Sequence, residues 1–320
     1  MNNEKFYTEI VSAIKNLYEL SASNLVAIYD GSDNTVLKSL TNVGDIIVKI
    51  SKRDKSAESL EQEAFVLQEL KKNSVLVPEY LKNKKNSHFF TIDNHKVVCS
   101  KFINGEKIGL EQKPNPELIV SAAQALANLH RAGSQIKSLK FERNIFTELH
   151  RLGERRNAFL DTYEEAEDFI ELVSFYQKKM HEVSEHEGSG FIHNDYRIHN
   201  VLVDNNKITA ILDFDWSTIG PFKKDLAHAA LEWSFADGND SPWKDVFSLF
   251  LKTYLASMNI GSEDIRSWIV FSALSDACTY YIDRLPEGKP DKKKKMQSYM
   301  HLKALYFHNM DDDSFGRSFC

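Results

Sequence analysis

Cysteine, proline, glycine and long apolar runs are all scarce in this sequence. Its three cysteines, Cys99, Cys278 and Cys320, are far apart and odd in number, which fits neither a disulfide framework nor a CxxC metal site. Thirteen glycines and seven prolines in 320 residues exclude collagen-like and low-complexity classes. No run of about 18 apolar residues is present, so we predict no membrane-spanning helix. These absences indicate a globular chain of a reducing compartment.

Basic residues are also fewer than acidic ones. The formal net charge is −6, with a balance of +1 over residues 1–108 and −7 over residues 109–320. Binding to nucleic acid needs a basic surface, so we exclude nucleic acid as the main partner. The first ten residues, MNNEKFYTEI, lack the apolar core of a secretory signal. We therefore expect a cytoplasmic protein with no membrane partner.

The residue pattern changes near residue 103. Before it, strand-like segments surround the helical stretch 56–71, while from Pro116 onward apolar residues recur mostly at helical spacing. A chain of 320 residues exceeds the usual size of one hydrophobic core. We therefore predict an α+β fold with two domains, a small β-rich lobe over residues 1–103 and a larger, mainly helical lobe over residues 104–320.

The densest group of polar residues lies in the second predicted domain. Asp195 and Asn200 stand five residues apart before the apolar run 201–203, and Asp213 follows the run 208–212. Phosphoryl transfer from ATP uses such a set, because one carboxylate orients the attacking hydroxyl while an Asn and a second Asp bind Mg²⁺ through oxygen atoms. The spacing predicts a catalytic loop that serves the acceptor and the metal together.

These residues belong to a longer motif. It consists of His193-x-Asp195-x-x-x-x-Asn200, then Asp213-Phe214, then Gly220-Pro221-x-x-x-Asp225-Leu226-Ala227. The motif resembles the aminoglycoside phosphotransferase and choline kinase family, and its spacing agrees with that of protein kinases. The resemblance implies a bilobal, protein-kinase-like fold and transfer of the γ-phosphate of ATP or GTP to a hydroxyl of a small-molecule acceptor, with Mg²⁺ as the metal. An Ala-Pro-Glu segment after Asp213 is missing, which argues against a protein kinase.

The resemblance also implies roles for residues of the second domain. Asp195 would be the catalytic base, and Asn200 with Asp213 would hold Mg²⁺. Arg197 stands two positions after Asp195, where protein kinases have a lysine near the transferred phosphate, and we expect it to stabilise the charge there. His193 is expected to brace the loop. The second domain would thus contain the catalytic loop and the acceptor-binding helices.

The first domain would bind the nucleotide. Lys49 lies near the end of an apolar strand, and the resemblance pairs it with the α- and β-phosphates and with Glu63 of the following helix. Two further segments would contact the nucleotide, the phosphate-covering hairpin with Gly31 and Ser32 and the adenine-binding segment with Ser100 and Phe102.

These motifs do not identify the acceptor. Five acids of the second domain fall on segments that form the acceptor side in the resembling family, and an acidic cleft would favour an amino sugar, an aminoglycoside or an amino alcohol. They are Glu232, Asp237, Asp240, Asp276 and Asp283. The alternative, that these acids are scattered over the outer surface and the acceptor is neutral, stays open.

Two other functions also stay open. One is a metallohydrolase with His193, Asp195, His199 and Asp213 as metal ligands, although this function leaves Lys49 without a role. The other is a catalytically silent nucleotide-binding protein of the same fold, because a fold does not guarantee activity. Acceptor-dependent nucleotide turnover distinguishes a kinase from the silent protein, and the metal content of the purified protein distinguishes it from the metallohydrolase.

Overall fold

The structure is a computed structural model that describes residues 3–31, 33–52, 54–109, 113–136, 139–235 and 241–319. The chain forms two compact units. The first contains Met1–Gly105 and Thr209–Leu212, and the second contains Glu106–Ile208 and Asp213–Cys320. The assignment of nucleotide binding to residues 1–103 and of catalysis and acceptor binding to residues 104–320 stays a prediction. Within the described ranges, no helix combines the length and the apolar character needed to cross a membrane.

The first unit is built on an antiparallel sheet of five strands in the order β1-β2-β3-β5-β4. Its helices and strands are α1 (Asn3–Tyr18), β1 (Val26–Asp30), β2 (Asn34–Thr41), β3 (Gly44–Ser51), α2 (Ala57–Lys72), β4 (Phe89–Ile92) and β5 (His95–Lys101). In β3, Ile46, Val48 and Ile50 are buried and alternate with half-buried residues, as the period of a strand requires. Strand β3 is the central strand, so Lys49 does not lie at a sheet edge.

The two helices of the first unit follow from local sequence signals. Helix α1 buries Phe6, Ile10 and Ile14, which recur at helical spacing, in the core of the unit. Helix α2 begins after Ser56, whose hydroxyl accepts a hydrogen bond from the Ser59 N–H. Such an N-cap satisfies a backbone donor that the first turn of a helix leaves unpaired.

The second unit is mainly helical. Its helices are α3 (Pro116–Gly133), α4 (Thr147–Glu154), α5 (Arg156–Thr162), α6 (Ala166–Ser184), α7 (Phe222–Ser234), α8 (Lys244–Met258), α9 (Ile265–Ile282), α10 (Tyr299–His308) and α11 (Asp312–Phe319). The strands of this part of the chain are β6 (Ser189–Ile192), β7 (Val201–Asp204), β8 (Lys207–Ile211) and β9 (Thr218–Pro221), and β6 pairs antiparallel with β9. The N-terminal antiparallel sheet and the helical C-terminal part confirm the predicted mixed fold class.

Helix α7 is unusual among these elements. All of its residues are buried, and five of them carry ionisable side chains, namely Lys223, Lys224, Asp225, His228 and Glu232. Buried charges are costly unless they are paired or hydrogen-bonded. The partners that these side chains find include the loop predicted to carry the chemistry.

Candidate active site

The predicted catalytic loop is anchored to helix α7. It begins after Ile192 at the end of β6 and turns at Asn194, whose backbone φ is 63°. The N–H groups of His193 and Asn194 each donate a hydrogen bond of 2.8 Å to the carboxylate of Asp225, and Nε2 of His130 donates to it at 2.9 Å. Burial raises the pKa of Asp225, but the hydrogen bond and charge of His130 outweigh burial and hold the pKa below its ordinary value. Asp225 therefore anchors the loop.

The imidazole of His193 braces the loop from inside. The ring is buried, and its Nδ1 accepts the N–H of Asp195 at 3.3 Å. Its centroid lies 4.7 Å from that of the Phe214 ring. In the part of the chain that the structure describes, no group of three or more His, Cys, Asp or Glu side chains could hold a metal ion. These contacts agree with the predicted bracing role of His193, and the ligand set of a metallohydrolase gains no support among the described residues.

Both carboxylate oxygens of Asp195 are engaged within the loop. Oδ1 accepts a hydrogen bond of 2.6 Å from Nε of Arg197 and also contacts its Nη2. Oδ2 accepts one of 2.8 Å from Nδ2 of Asn200, which also donates to the backbone carbonyl of Asp195 at 3.0 Å. Burial raises the pKa of Asp195 to about 6, although the charge of Arg197 acts in the opposite direction. A carboxylate with this pKa suits a general base, and its side chain is still 14% exposed.

Arg197 lies between two carboxylates. Besides Asp195, its Nη1 lies 3.7 Å from Oε2 of Glu232, and Oε1 of Glu232 lies 3.4 Å from Nζ of Lys303 on α10. Glu232 and Lys303 are both buried. Glu232 was expected on the acceptor side, but cations of the chain itself already neutralise its charge.

A second acid lies close to Asp195. Nε2 of the buried His228 is 3.1 Å from Oδ2 of Asp276 and 4.0 Å from Oδ1 of Asp195. Burial raises the pKa of Asp276, but the charges of His228 and Lys224 outweigh burial and hold the pKa at about 2. The Asp276 side chain is 27% exposed. Asp276 is therefore an ionised, accessible carboxylate close to the candidate catalytic base.

Two of the other expected acceptor-side acids, Asp237 and Asp240, lie outside the described residues. The fifth, Asp283, accepts a hydrogen bond of 2.7 Å from Nη2 of Arg151 and is 47% exposed. Asp276 is thus the one of the three described acids that is both partly exposed and close to Asp195.

Asp213 follows β8 with a backbone φ of 65°, in the left-handed region that few residues adopt. Its side chain is half-buried. Burial lowers the pKa of Lys107, and the negative charge of Asp213 opposes this shift. Nζ of Lys107 also donates to the carbonyl of His199. Lys107 stands outside every motif of the sequence, so this contact could not be predicted.

Asn200 and Asp213 offer the kind of oxygen atoms that Mg²⁺ prefers. The amide nitrogen of Asn200 is committed to Asp195, which leaves its Oδ1 for a cation. One amide and one carboxylate are a small ligand set, but Mg²⁺ in such sites takes its other ligands from phosphates and water. The two residues therefore fit a metal that is bound together with a nucleotide.

The first unit contains the predicted nucleotide-binding residues. Lys49 is half-buried on β3, between Val36 of β2 and Val98 of β5 in the sheet register. Ser100 is buried on β5. The ring of Phe102 lies 4.0 Å from the ammonium of Lys38 on β2. Lys49 and Ser100 therefore lie within the sheet, and Phe102 directly follows β5.

Gly31 lies at a tight point of the hairpin between β1 and β2. Its N–H donates to the carbonyl of Asn34 at 3.0 Å, and its own carbonyl accepts 2.6 Å from Nζ of Lys52. A Cβ at this position would lie 2.3 Å from the hydroxyl of Tyr29. Ser32, the other predicted hairpin residue, lies outside the described residues.

Glu63 on α2 has two partners that the sequence analysis did not foresee. Its Oε1 accepts a hydrogen bond of 2.5 Å from the hydroxyl of Tyr80, and its Oε2 lies 3.2 Å from Nζ of Lys55. The Glu63 side chain is 10% exposed. These contacts hold its carboxylate in one place within the first unit.

The predicted site residues are therefore divided between the units. Asp195, Arg197 and Asn200 are in direct contact in the second unit, which also contains Asp213. Lys49, Glu63, Gly31, Ser100 and Phe102 belong to the first unit.

Comparisons with known proteins extend these observations. Among solved structures, the amicoumacin kinase hAmiN in complex with AMP-PNP, Ca²⁺ and Ami has a TM-score of 0.70 and 14% identity, covering 96% of this chain and 94% of that chain. A choline/ethanolamine kinase family protein from Mesorhizobium loti has a TM-score of 0.67 and 15% identity, with 98% and 97% covered. A microcompartment-associated aminopropanol kinase has a TM-score of 0.65 and 18% identity, with 94% and 96% covered. At these identities, the likeness shows the fold.

The family is identified by comparison of the sequence with family models. No curated protein matches it at the significance level applied. The model of the phosphotransferase enzyme family (APH), however, matches residues 24–255, which is well over half of the chain. The chain therefore belongs to the phosphotransferase enzyme family.

Proposed function

We propose that this protein is a small-molecule kinase, which transfers the γ-phosphate of ATP or GTP to a hydroxyl of a small acceptor. The observation that carries the proposal is the engaged carboxylate of Asp195, held by Asn200 and Arg197 on a loop that Asp225 anchors. Family membership supports phosphotransferase chemistry. The named complexes of similar structures contain AMP-PNP, ADP or GDP, so both purine nucleotides remain in the proposal.

Asp195 orients the acceptor hydroxyl and takes its proton as the oxygen attacks the γ-phosphorus. The bond from the γ-phosphorus to the β–γ bridging oxygen breaks, and ADP or GDP leaves with that oxygen. Its raised pKa makes the carboxylate a stronger base than an ordinary aspartate, and it is still ionised at neutral pH. Asn200 keeps the carboxylate in place through Oδ2. Asn200 Oδ1 and the Asp213 carboxylate would hold Mg²⁺, which neutralises charge on the phosphate oxygens when bound.

The nucleotide would be held by the first unit. Lys49 carries the positive charge for the α- and β-phosphates, and Glu63 is its proposed partner. Gly31 and Ser32 would cover the phosphates with backbone N–H groups, and the backbone at Ser100 and Phe102 would contact the base. The protein would do this in the cytoplasm, where ATP and GTP are available.

The acceptor is proposed to carry an ammonium group that binds Asp276. Asp276 is 27% exposed and has His228 as its partner within ion-pair distance among the described residues, whereas Glu232 is 6% exposed and lies against both Lys303 and Arg197. Oxygens of Asp195 and Asp276 both lie within 4.0 Å of one His228 nitrogen, so a single small acceptor can reach both. An amino alcohol or amino sugar with the hydroxyl and ammonium on neighbouring carbons fits this spacing. The printed names of similar structures include an aminopropanol kinase and an aminoglycoside phosphotransferase.

The first experiment is a panel of amino alcohols, amino sugars, aminoglycosides, neutral sugars and hydroxy acids, assayed for nucleotide consumption with and without a chelator. A kinase gives acceptor-dependent, chelator-sensitive turnover, and phosphorylated product appears in equal amount. Nucleotide binding without turnover on any acceptor would instead favour the catalytically silent protein. Hydrolysis of the nucleotide without phosphorylation of any acceptor would also contradict the proposal.

The second experiment addresses Asp276. Asp276→Asn should raise KM for a cationic acceptor and leave KM for the nucleotide unchanged, since an ion pair to the acceptor is lost. Asp161→Asn is the matched control, because Asp161 pairs with Lys289 at the surface. If the best acceptor is neutral or anionic, or if its KM is unchanged in Asp276→Asn, the ammonium site is wrong and the kinase proposal is unaffected.

A further inference from the structure

A row of alternating charges links the candidate catalytic base to helix α10. Arg197 donates to Asp195 through Nε at 2.6 Å and faces Glu232 through Nη1 at 3.7 Å. The other oxygen of Glu232 lies 3.4 Å from Nζ of Lys303. Arg197 therefore interacts with both Asp195 and Glu232. Lys303 is the second cation beside Glu232.

Lys303 is held firmly in this place. Its side chain and that of Glu232 are each 6% exposed. Its ammonium lies 4.5 Å from the centroid of the Phe235 ring and 4.6 Å from that of the Tyr299 ring, a geometry in which aromatic faces stabilise a cation. Burial lowers the pKa of Lys303, and the charge of Glu232 opposes this shift.

The removal of one charge from a buried pair leaves the other without compensation. If Lys303 loses its charge, Arg197 is the cation that remains within ion-pair distance of Glu232 among the described residues. Nη1 of Arg197 is 3.7 Å from Glu232, which is longer than a hydrogen bond, so a guanidinium drawn toward Glu232 shifts away from Asp195 on its other side. The hydrogen bond and the charge that Asp195 receives would weaken.

We propose that Lys303 is a positioning residue for phosphoryl transfer, which acts by neutralising Glu232 so that Arg197 stays on Asp195. This inference rests on the proposed kinase function. Lys303 itself touches no reacting atom in this scheme, and its effect reaches Asp195 through two intervening side chains. Loss of the lysine should therefore lower kcat and leave the nucleotide KM unchanged.

The test compares Lys303→Met, Glu232→Gln and the double variant with the wild type. Lys303→Met should lower kcat by about threefold to tenfold, because a small displacement at a catalytic group is costly. The double variant should match Glu232→Gln, since Lys303 has nothing to neutralise once Glu232 is uncharged. Lys303→Arg should restore most of the activity. Lys223→Met is the matched control, because Lys223 is a buried lysine paired with Glu187 at 3.0 Å outside this row of charges.

A purely structural role for Lys303 predicts something else. The losses in the double variant would then add, and Lys223→Met would lower kcat as much as Lys303→Met does. Either result would overturn the inference. Wild-type activity is measured first, so failure of the kinase function is seen separately.

A readout without turnover completes the test. In protein labelled with ¹⁵N at arginine, the Nε–H signal of Arg197 is assigned by its loss in Arg197→Lys. Its hydrogen exchange should be faster in Lys303→Met than in the wild type and slow again in the double variant. Unchanged exchange in Lys303→Met would contradict the inference whether or not the acceptor is known.

Discussion

Asp195 and Asp225 are two carboxylates that serve the same loop, and the chain treats them in opposite ways. Asp225 is fully buried and accepts three hydrogen bonds, two from backbone N–H groups and one from His130. Asp195 is 14% exposed and is held by the side chains of Arg197 and Asn200. The pKa of Asp225 is below its ordinary value, while that of Asp195 is raised to about 6.

Burial alone does not explain this difference, since it raises the pKa of both groups. The hydrogen-bond donors around each carboxylate account for the difference in pKa. Donors that the fold fixes rigidly favour the ionised form of Asp225 and make it an anchor. The negative charge of Asp195 is less fully stabilised, so the carboxylate stays basic and accessible to the acceptor. A group that must accept a proton needs both properties. Variants at the two carboxylates and their neighbours test this contrast, from the largest expected effect to the smallest.

Asp195→Ala should lower kcat by about a thousandfold or more, because the acceptor hydroxyl loses its base and its orientation. Nucleotide affinity should survive, since Asp195 is not among the proposed phosphate-binding residues. Turnover by a coupled assay and nucleotide binding by calorimetry measure the two quantities. Asp204→Ala, at the exposed end of β7, is the control. Turnover close to that of the wild type would refute the role of Asp195.

Asp225→Asn should destabilise the protein by about 3 kcal/mol, because a fully buried hydrogen-bonded ion is replaced by a group that cannot satisfy the same three donors. Thermal and urea unfolding measure this loss. Asp245→Asn is the control, since Asp245 is 70% exposed in a surface pair with Lys113 and should cost about 0–1 kcal/mol. Equal losses in the two variants would show that Asp225 is no anchor.

Asp213→Ala should weaken Mg²⁺-dependent nucleotide binding by about a hundredfold, and Asn200→Ala by about tenfold. A carboxylate brings a full charge to a divalent cation, whereas an amide brings a dipole. Calorimetry with Mg²⁺ and with a chelator separates the metal-dependent part. Affinities that are equal in both variants and independent of Mg²⁺ would contradict the metal assignment.

The sequence predicted the parts of this site that depend on short-range spacing. Asp195 and Asn200 are five residues apart, and the loop does bring the amide to the carboxylate. The row of charges through Glu232 to Lys303 could not be predicted, because α10 lies far from the loop in sequence and a buried lysine has no local pattern. Lys223 and Lys224 on α7 likewise look solvent-exposed in the sequence and are buried in the fold.

The position of His228 could be predicted from the sequence only in part. It lies one turn after Asp225 on α7, so its face of the helix was predictable from the motif. Its contact with Asp276 on α9 was not, because that contact depends on how two helices pack. In the same way, Glu63 was predicted from its helix, but its partner Tyr80 comes from a loop without a recognisable signal.

The stability of Asp195→Asn relative to the wild type should rise by about 1–3 kcal/mol between pH 4 and pH 7. Because the pKa is raised, the native state binds the proton more tightly than the unfolded chain, so the contribution of Asp195 to stability falls as pH rises from 3.8 to about 6. The stability of the variant relative to the wild type should therefore increase across this window and stay constant above it. Asp225→Asn should show no such increase. A relative stability of Asp195→Asn that is the same at pH 4 and pH 7 would contradict the raised pKa.

Arg197→Met should lower kcat by about tenfold at pH 7. Arg197 lowers the pKa of Asp195, so its loss raises that pKa further and leaves less of the base ionised. The acidic limb of the pH–rate profile should then move to higher pH, and much of the lost activity should return in alkaline buffer. A loss that is the same at every pH would instead indicate that Arg197 acts on the transferred phosphate, and a loss below about threefold would leave only a surface ion pair. Arg197→Lys, which keeps the charge, should shift the profile less than Arg197→Met. Asp225 has no arginine within ion-pair distance among the described residues, so this sensitivity to one half-buried cation separates the base from the anchor.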